Sequence, residues 1–288
     1  MTLRFTVAVL WAIGAMVASV SAQNAPLELP RSIEAGSVLS IPTAGSGSAL
    51  FYIVGPAQAL RRDVQLGEKI VIASGELHNA GHYSAFLMGP SSTQTAEFDV
   101  TAQQPSSLSF LAKPSRLPVD VHEGISGVAY VFDAFRNLVL APTQVSFELS
   151  ETGGATQTRA VTTHYGVAWL RLDSAPKAGS AQFQARVGQV IEKRVVQQVS
   201  GEPCNLRMSA SRSGPRVEVQ TEPLRDCKGN AVPDGTIVTF IERSNGSEST
   251  VDVPLKRGVA RTDLPANDGA TISVATGVVM GNEIRWRQ

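Results

Sequence analysis

The stretch that decides the fold runs from Asp226 to Phe240 and reads DCKGNAVPDGTIVTF. The segment from Asp133 to Phe147, DAFRNLVLAPTQVSF, aligns with it without a gap and shares its Asp, Asn, Val, Thr, Val and Phe residues. In both copies a Val and a Phe stand two positions apart at the end, so both side chains point to one face of a strand. Two copies of one turn-and-strand element, about 93 residues apart, indicate a repeated domain.

Other landmarks repeat in the same order along the chain. They are Gly166-Val167-Ala168 with Gly258-Val259-Ala260, and Pro105 and Leu108 with Pro203 and Leu206. The period is too long for a solenoid repeat and is typical of a β-sandwich of ordinary size. We therefore expect one domain over 103–201 and a second copy over 202–288.

The composition predicts an all-β chain. Gly, Pro, Ser and Thr are frequent, aromatic residues make up 6%, and the apolar fraction of 43% is ordinary for a globular protein. Short segments of alternating apolar and polar residues recur between turn clusters, for example Gln144 to Leu149 and Thr271 to Ala275. Short strands at regular spacing, without helices between them, predict tandem immunoglobulin-like β-sandwiches.

The last copy of the repeat resembles the bacterial immunoglobulin-like domain of the invasin and intimin type. The pattern that carries the resemblance is Asp226-x-x-Gly229-Asn230-x-Val232-Pro233-x-Gly235-Thr236-x-Val238-x-Phe240, followed by Gly258-Val259-Ala260. The middle copy departs from it, with Arg136 in place of the Gly and Leu140-Ala141-Pro142 in place of Pro-x-Gly, so we expect its turns to differ. The resemblance implies a fold, and such domains serve both as spacers and as adhesive tips.

The first domain, over 23–102, has a different signature. Its segment Asn79-Ala80-Gly81-His82-Tyr83 resembles the end of an immunoglobulin-type sandwich, where a tyrosine hydroxyl bonds back to upstream backbone. The position two residues after the tyrosine, where such domains usually have a cysteine, is Ala85. This domain is therefore expected to be an immunoglobulin-like sandwich without an inter-sheet disulfide.

Residues 1–22 have the pattern of a cleaved signal peptide. Arg4 supplies a positive charge, Phe5 to Ala18 is an uncharged apolar run, and Val20-Ser21-Ala22 offers the small residues of a cleavage site before Gln23. No later apolar stretch reaches the length of a membrane span, so we expect no membrane insertion after cleavage. The predicted location is the periplasm or the medium outside the cell.

Cys204 and Cys227 are the chain's only cysteines. In an oxidising compartment an even pair within one domain predicts a disulfide. A metal site would need further ligands close by, and none of the four His is near in sequence. The corresponding positions of the middle domain are Ser106 and Ala134, so the fold itself does not require the bridge.

No residue pattern predicts catalysis. His78 and His82 stand four apart, but Asn79-Ala80-Gly81 between them favours a turn over a helical metal pair. Nucleophile and acid–base constellations are missing from the sequence, so no catalytic, cofactor-binding or metal-binding residue is predicted and no cofactor is expected. Arg61-Arg62-Asp63 is interpreted as a solvated turn.

The binding residues are unknown at this level, and two groups are candidates. Phe51, Tyr52 and Phe86 suit either a sugar-binding face or the core, and core packing is the more frequent use of strand aromatics. The segment from Leu149 to His164 is the best candidate for a binding loop in the middle domain, with a solvent-exposed hairpin as the alternative.

The balance of positive and negative residues bears on which class of partner the chain binds. Lys+Arg and Asp+Glu balance at 25 each, which speaks against nucleic acid as a partner. The sequence therefore predicts a non-catalytic extracytoplasmic binding or structural protein of bacterial type, in adhesion or cell-envelope interaction, with a protein or glycan partner. The alternative is an accessory polysaccharide-binding protein of a larger envelope or secreted system.

Overall fold

The computed structural model describes residues 27–90, 92–151, 154–265 and 267–287. The predicted signal peptide, 1–22, lies outside the described residues. The chain forms two compact units that divide after Val100. Every regular element of the described ranges is a strand, and no helix in them has the length and apolarity needed to cross a membrane. The all-β prediction is confirmed.

The described residues of the first unit form seven strands. They are β1 (Ser32–Glu34), β2 (Leu39–Ile41), β3 (Ser48–Gly55), β4 (Gln58–Gln65), β5 (Ile70–Ile72), β6 (Gly81–Met88) and β7 (Thr93–Thr101). A five-stranded sheet has the order β1-β7-β6-β3-β4, and β2 pairs with β5 in a small second sheet. Their inward side chains form one hydrophobic cluster.

Alternation along the strands fills this core. Phe51 and Ile53 on β3 are buried, with Tyr83 on β6, while the residues between them on each strand face outward. The same alternation runs through β4 at the sheet edge, where Arg62 pairs with Glu76 at 2.5 Å. The prediction of a turn at Arg61-Arg62-Asp63 is therefore wrong, because an edge strand can hold consecutive charged residues that reach water on both sides.

The second unit begins with eight strands. They are β8 (Ser107–Lys113), β9 (Arg116–Pro118), β10 (Ile125–Phe132), β11 (Gln144–Glu151), β12 (Thr156–Thr162), β13 (Val167–Leu172), β14 (Gly179–Val187) and β15 (Val190–Val199). One sheet has the order β13-β10-β8 and the other β12-β11-β14-β15-β9, with β15 and β9 parallel.

Three phenylalanines fill the middle of this sandwich. Phe110, Phe147 and Phe183 are fully buried, and their ring centroids lie 5.0–6.2 Å apart. Gly127 on β10 makes room for them, because a Cβ there would lie 2.5 Å from the Phe183 ring. The inward orientation of Val145 and Phe147 is as the repeat predicts.

The chain ends with seven strands. They are β16 (Met208–Ser213), β17 (Arg216–Thr221), β18 (Ile237–Ser244), β19 (Ser247–Pro254), β20 (Arg261–Pro265), β21 (Thr271–Thr276) and β22 (Val279–Arg285). The sheets have the orders β16-β17-β20 and β19-β18-β21-β22. Val238 and Phe240 are buried in a hydrophobic cluster of their own, separate from the cluster of the preceding strands. The second unit therefore holds two cores.

Candidate functional site

The Asp226 turn is built around one carboxylate. Asp226 Oδ1 accepts the backbone N–H groups of Lys228 (2.9 Å) and Asn230 (2.8 Å), and Oδ2 accepts the N–H of Gly201 (3.0 Å) and the Asn230 side-chain amide (2.9 Å). Burial raises the pKa of Asp226, but the hydrogen bonds from Asn230, Gly201 and Lys228 outweigh it and hold the pKa below the ordinary range of aspartate.

Asp133 repeats this arrangement. Its Oδ1 accepts the N–H groups of Phe135 (2.9 Å) and Asn137 (2.8 Å), and its Oδ2 accepts those of Gln103 (3.0 Å) and the Asn137 side chain (2.9 Å). Arg136 takes a φ of 67°, close to the 84° of Gly229. The expectation that this turn differs is wrong, since Arg136 adopts the conformation that Gly usually supplies.

The next turn does differ between the two copies, as expected. In the last copy Gly235 has a φ of 88°, and Asp234 accepts the backbone N–H groups of Arg257 and Gly258, both at 2.9 Å. In the middle copy the N–H of Thr143 donates to Thr163 Oγ1 at 2.9 Å instead. A proline cannot take a positive φ, so Pro142 requires this alternative.

The predicted disulfide is present. Cys204 and Cys227 are bonded, with their Cα atoms 5.1 Å apart. The N–H of Cys204 also donates to the carbonyl of Arg225 at 2.9 Å, as Ser106 does to Phe132 in the middle copy. The bridge thus fixes the start of the last copy to its Asp226 turn.

The Asp226 turn also contacts the preceding sandwich. Asn230 donates from Nδ2 to the carbonyl of Pro176 at 2.9 Å, and its Oδ1 accepts the N–H of Ala178 at 2.9 Å. Lys228 Nζ lies 2.9 Å from Asp120 Oδ2. One short turn therefore orders one edge of its own sandwich and bonds to two loops of the sandwich before it.

The tyrosine predicted in the first unit makes the expected bond. Tyr83 is buried, and its hydroxyl donates to the carbonyl of Asn79 at 2.7 Å and lies 3.0 Å from Gln58 Oε1. Burial raises the pKa of this hydroxyl. Gly55 passes against the ring, where a Cβ would lie 2.2 Å from it.

The two closely spaced histidines have separate partners. His78 Nδ1 lies 3.2 Å from the carbonyl of Gly75, whereas His82 Nδ1 lies 3.0 Å from Asp99 Oδ1. The hydrogen bond to Asp99 raises the pKa of His82, desolvation opposes this effect, and the charge of Glu97 raises the pKa further. Within the described ranges no group of three or more His, Cys, Asp or Glu side chains is placed to hold a metal ion.

The predicted binding loop of the middle domain is largely a hairpin. Gln144–Glu151 and Thr156–Thr162 pair as β11 and β12, with residues 152 and 153 outside the described ranges. This is the alternative that the sequence left open. Such a hairpin offers an edge strand and not a free recognition loop.

The most exposed tryptophan of the described residues lies on the outer face of the sheet β13-β10-β8. Trp169 is 65% exposed and stands opposite Val128, which in turn stands opposite Leu111, itself 49% exposed. Tyr130 and Val167 form the next row of the same face. We call this set, Trp169, Val128, Leu111, Tyr130 and Val167, the Trp169 face. Exposed apolar surface of this kind marks interaction sites.

Polar residues border the Trp169 face on one side. Arg171, Ser126 and Lys113 form the row beyond Trp169, Val128 and Leu111, with one cation on each of the two outer strands, β13 and β8. Arg171 has one acidic neighbour, Glu123, at 3.8 Å, and both side chains are more than half exposed. The face is thus apolar at its centre and basic along one border.

A smaller aromatic pair lies on the outer face of the first unit. Tyr52 and Phe86 stand opposite each other on β3 and β6, both half-buried, while Phe51 is in the core. Phe51 is therefore a core residue, whereas Tyr52 and Phe86 lie on a face that could contact a sugar. Tyr52 also stands opposite Arg61 of β4, which places a cation beside the pair.

None of the motifs in the sequence predicts Trp169 as a binding residue, although the alternation of residues around it indicates that it is exposed. In Ala168-Trp169-Leu170-Arg171-Leu172 the small and aliphatic residues alternate with Trp and Arg, which puts Trp169 on the same side as a charged residue. A large aromatic on the charged side of a strand indicates exposure.

Comparisons with known proteins support the fold. No protein-family model matches the chain, and no curated protein matches it. Among solved structures, the Escherichia coli adhesin FdeC superposes with a TM-score of 0.62 at 15% identity, covering 92% of this chain and 99% of that one. InvD of Yersinia pseudotuberculosis gives a TM-score of 0.52 at 13% identity, covering 92% and 97%. The chain is therefore a set of tandem immunoglobulin-like β-sandwiches of the fold seen in these two bacterial proteins.

Proposed function

We propose that this chain is a non-catalytic extracytoplasmic protein that acts by binding, in the manner of a bacterial adhesin. The observation that carries the proposal is the Trp169 face, where a tryptophan is 65% exposed on an apolar surface with a basic border. Trp, Tyr and Arg are enriched among the residues that contribute most to binding at protein interfaces. The fold shared with an Escherichia coli adhesin supports the same role.

The direction of the pKa shifts of the aspartates supports a non-catalytic role. The aspartates with a lowered pKa, Asp133, Asp173, Asp226 and Asp234, each accept hydrogen bonds from backbone N–H groups, so they act as fixed structural acceptors. A catalytic acid or base needs a pKa near the working pH and a cleft in which substrate reaches it. These carboxylates serve the fold.

The test is a binding screen of residues 23–288 against arrays of glycans and envelope proteins, run beside hydrolase, esterase and peptidase substrates. We expect specific binding without turnover, and we expect Trp169→Ala to lower that binding by at least about tenfold, as hot-spot residues do. The matched control is Val278→Ala, which removes an apolar side chain that is 83% exposed on the β21–β22 turn. Turnover that one substitution abolishes would overturn the proposal.

A second candidate function is accessory polysaccharide binding, and the Tyr52–Phe86 pair favours it. Aromatic rings stack on sugar rings, and Arg61 beside the pair can donate hydrogen bonds to hydroxyl groups. Binding to a glycan array that is lost in Tyr52→Ala and kept in Trp169→Ala would favour this function over the first.

A further inference from the structure

The strand that carries Trp169 is the edge of its sheet, since β13 pairs with β10 and ends the order β13-β10-β8. An edge strand presents backbone N–H and C=O groups that have no partner strand. The direction of these groups along β13 follows from the register of the pair β10–β13.

The N–H of Val131 donates to the carbonyl of Gly166 at 3.0 Å. In an antiparallel pair, hydrogen-bonded and non-hydrogen-bonded residue pairs alternate. With Tyr130 opposite Val167, the backbone groups of Ala168 and Leu170 bond to β10. Those of Trp169 and Arg171 therefore point away from the sheet, toward the open edge.

Two contacts mark the ends of this open stretch. Val167 exchanges hydrogen bonds with His164, at 2.8 and 3.1 Å, which uses its outward groups in the turn before β13. Beyond the strand, the carbonyl of Asp173 accepts the side-chain amide of Gln157 at 3.1 Å. Within the described part of the chain, the backbone without a partner strand is thus a short stretch at Trp169 and Arg171, on the same strand that contributes the exposed tryptophan.

Two other edge strands, β4 and β19, carry several charges that discourage pairing. Arg61, Arg62 and Asp63 lie on β4, and Glu248 and Asp252 lie on β19 together with Pro254. Charged side chains and proline on an edge are ways in which proteins prevent strand addition. Along its outward row β13 carries Val167 and Trp169, with one charge at Arg171.

We propose that the edge of β13 binds an extended peptide segment of a partner protein, which adds to the sheet as a further strand. The N–H and C=O groups of Trp169 and Arg171 supply the backbone pairing, and Trp169 packs against alternate apolar side chains of the added strand. Arg171 favours an acidic residue opposite it in the added strand. This inference rests on the proposed binding function and names the partner class for the same face.

The test uses residues 23–288 and a display library of random decapeptides, from which enriched peptides are resynthesised. We expect peptides with apolar residues at alternate positions and an acidic residue. Arg171→Pro removes one outward N–H and should weaken binding at least about tenfold, whereas the matched control Arg171→Ala keeps the N–H and should weaken it less than about threefold. Since Arg171→Pro could perturb the sheet, peptides N-methylated at alternate amides test the same bonds with the protein unchanged. One of the two N-methylation registers should abolish binding.

Three outcomes would overturn strand addition. In the first, no peptide is enriched that depends on Trp169. In the second, enriched peptides are insensitive to both Arg171→Pro and N-methylation, which would leave the proposed binding function in place without the edge. In the third, the ligand whose binding is lost in Trp169→Ala is a glycan and not a peptide. If Trp169→Ala leaves every interaction of the chain intact, the proposed function of this face fails as well.

Discussion

Arg136 and Gly229 occupy the same place in two copies of one turn, with φ values of 67° and 84°. The surrounding hydrogen bonds to Asp133 and Asp226 are equivalent. The left-handed conformation is unfavourable for arginine and easy for glycine. The middle domain therefore contains a strained residue that the last domain avoids.

This relationship predicts the effect of exchanging the residues. Arg136→Gly should stabilise the second unit by about 0.5–1 kcal/mol, because relief of the left-handed strain exceeds the added chain entropy of glycine. Gly229→Ala should destabilise it by about 1 kcal/mol for the opposite reason. Arg136→Ala is the matched control, since it removes the side chain but keeps the strain. Urea unfolding measures all three, and equal stabilisation by Arg136→Ala and Arg136→Gly would contradict the account.

The disulfide predicts a second effect, confined to one domain. Cys204 and Cys227 close a loop with a sequence separation of 23, for which the chain-entropy model gives about 3 kcal/mol of stabilisation. The double substitution Cys204→Ser with Cys227→Ser should lower the stability of the last domain by that amount. The middle domain, with Ser106 and Ala134 at these places, should be unaffected. Two titratable thiols in the unreduced, unfolded protein would exclude the bridge in solution.

Acid should weaken both Asp-centred turns. The pKa of Asp133 and of Asp226 is lowered in the folded state, so their stabilisation is complete above the unfolded pKa of about 3.9 and is lost as pH falls through the folded pKa. Thermal unfolding should therefore shift to lower temperature below about pH 4. Asp226→Asn should cost about 2 kcal/mol at pH 7 and reduce the acid sensitivity. Curves for the two proteins that run parallel with pH would contradict this.

The proposed domain boundaries after 102 and after 201 predict that the last domain folds alone. Its buried residues form a cluster separate from that of the middle domain. A fragment of residues 202–288, expressed in an oxidising compartment, should unfold cooperatively by calorimetry. Its melting temperature should be lower than in residues 103–288, because the fragment loses the bonds of Asn230 to Pro176 and Ala178. An unfolded fragment would show that the two domains depend on one another to fold.

Patterns within a few residues of sequence predict the core-facing side chains of the strands and the turns that connect them. The alternation of Val145 and Phe147 predicted the core side of β11, and the Asp and Asn spacing predicted the turns. Such signals depend on neighbours a few residues away, which the sequence displays directly. The first unit's Tyr83 bond was equally local, since the hydroxyl reaches back four residues.

Features that depend on distant parts of the chain could not be predicted in the same way. Asn230 bonds to a loop more than fifty residues upstream, and only the folded chain shows that the two turns meet. The position of Trp169 on an edge strand depends on the strand order β13-β10-β8, and local alternation does not specify that order. Consecutive charges are typical of turns, so Arg61-Arg62-Asp63 predicts a turn, whereas in the structure these residues lie on an edge strand.

The bridge between Cys204 and Cys227 has a further consequence for a chain that is pulled from its ends. Load entering at the start of the last domain passes through the covalent bridge to the Asp226 turn, so the segment between the cysteines cannot extend even when the domain unfolds. At a sequence separation of 23 and about 3.5 Å per extended residue, the bridge shortens the fully extended last domain by roughly 80 Å. The middle domain has no such bridge, so under tension it would lengthen by its full contour while the last domain stays shorter.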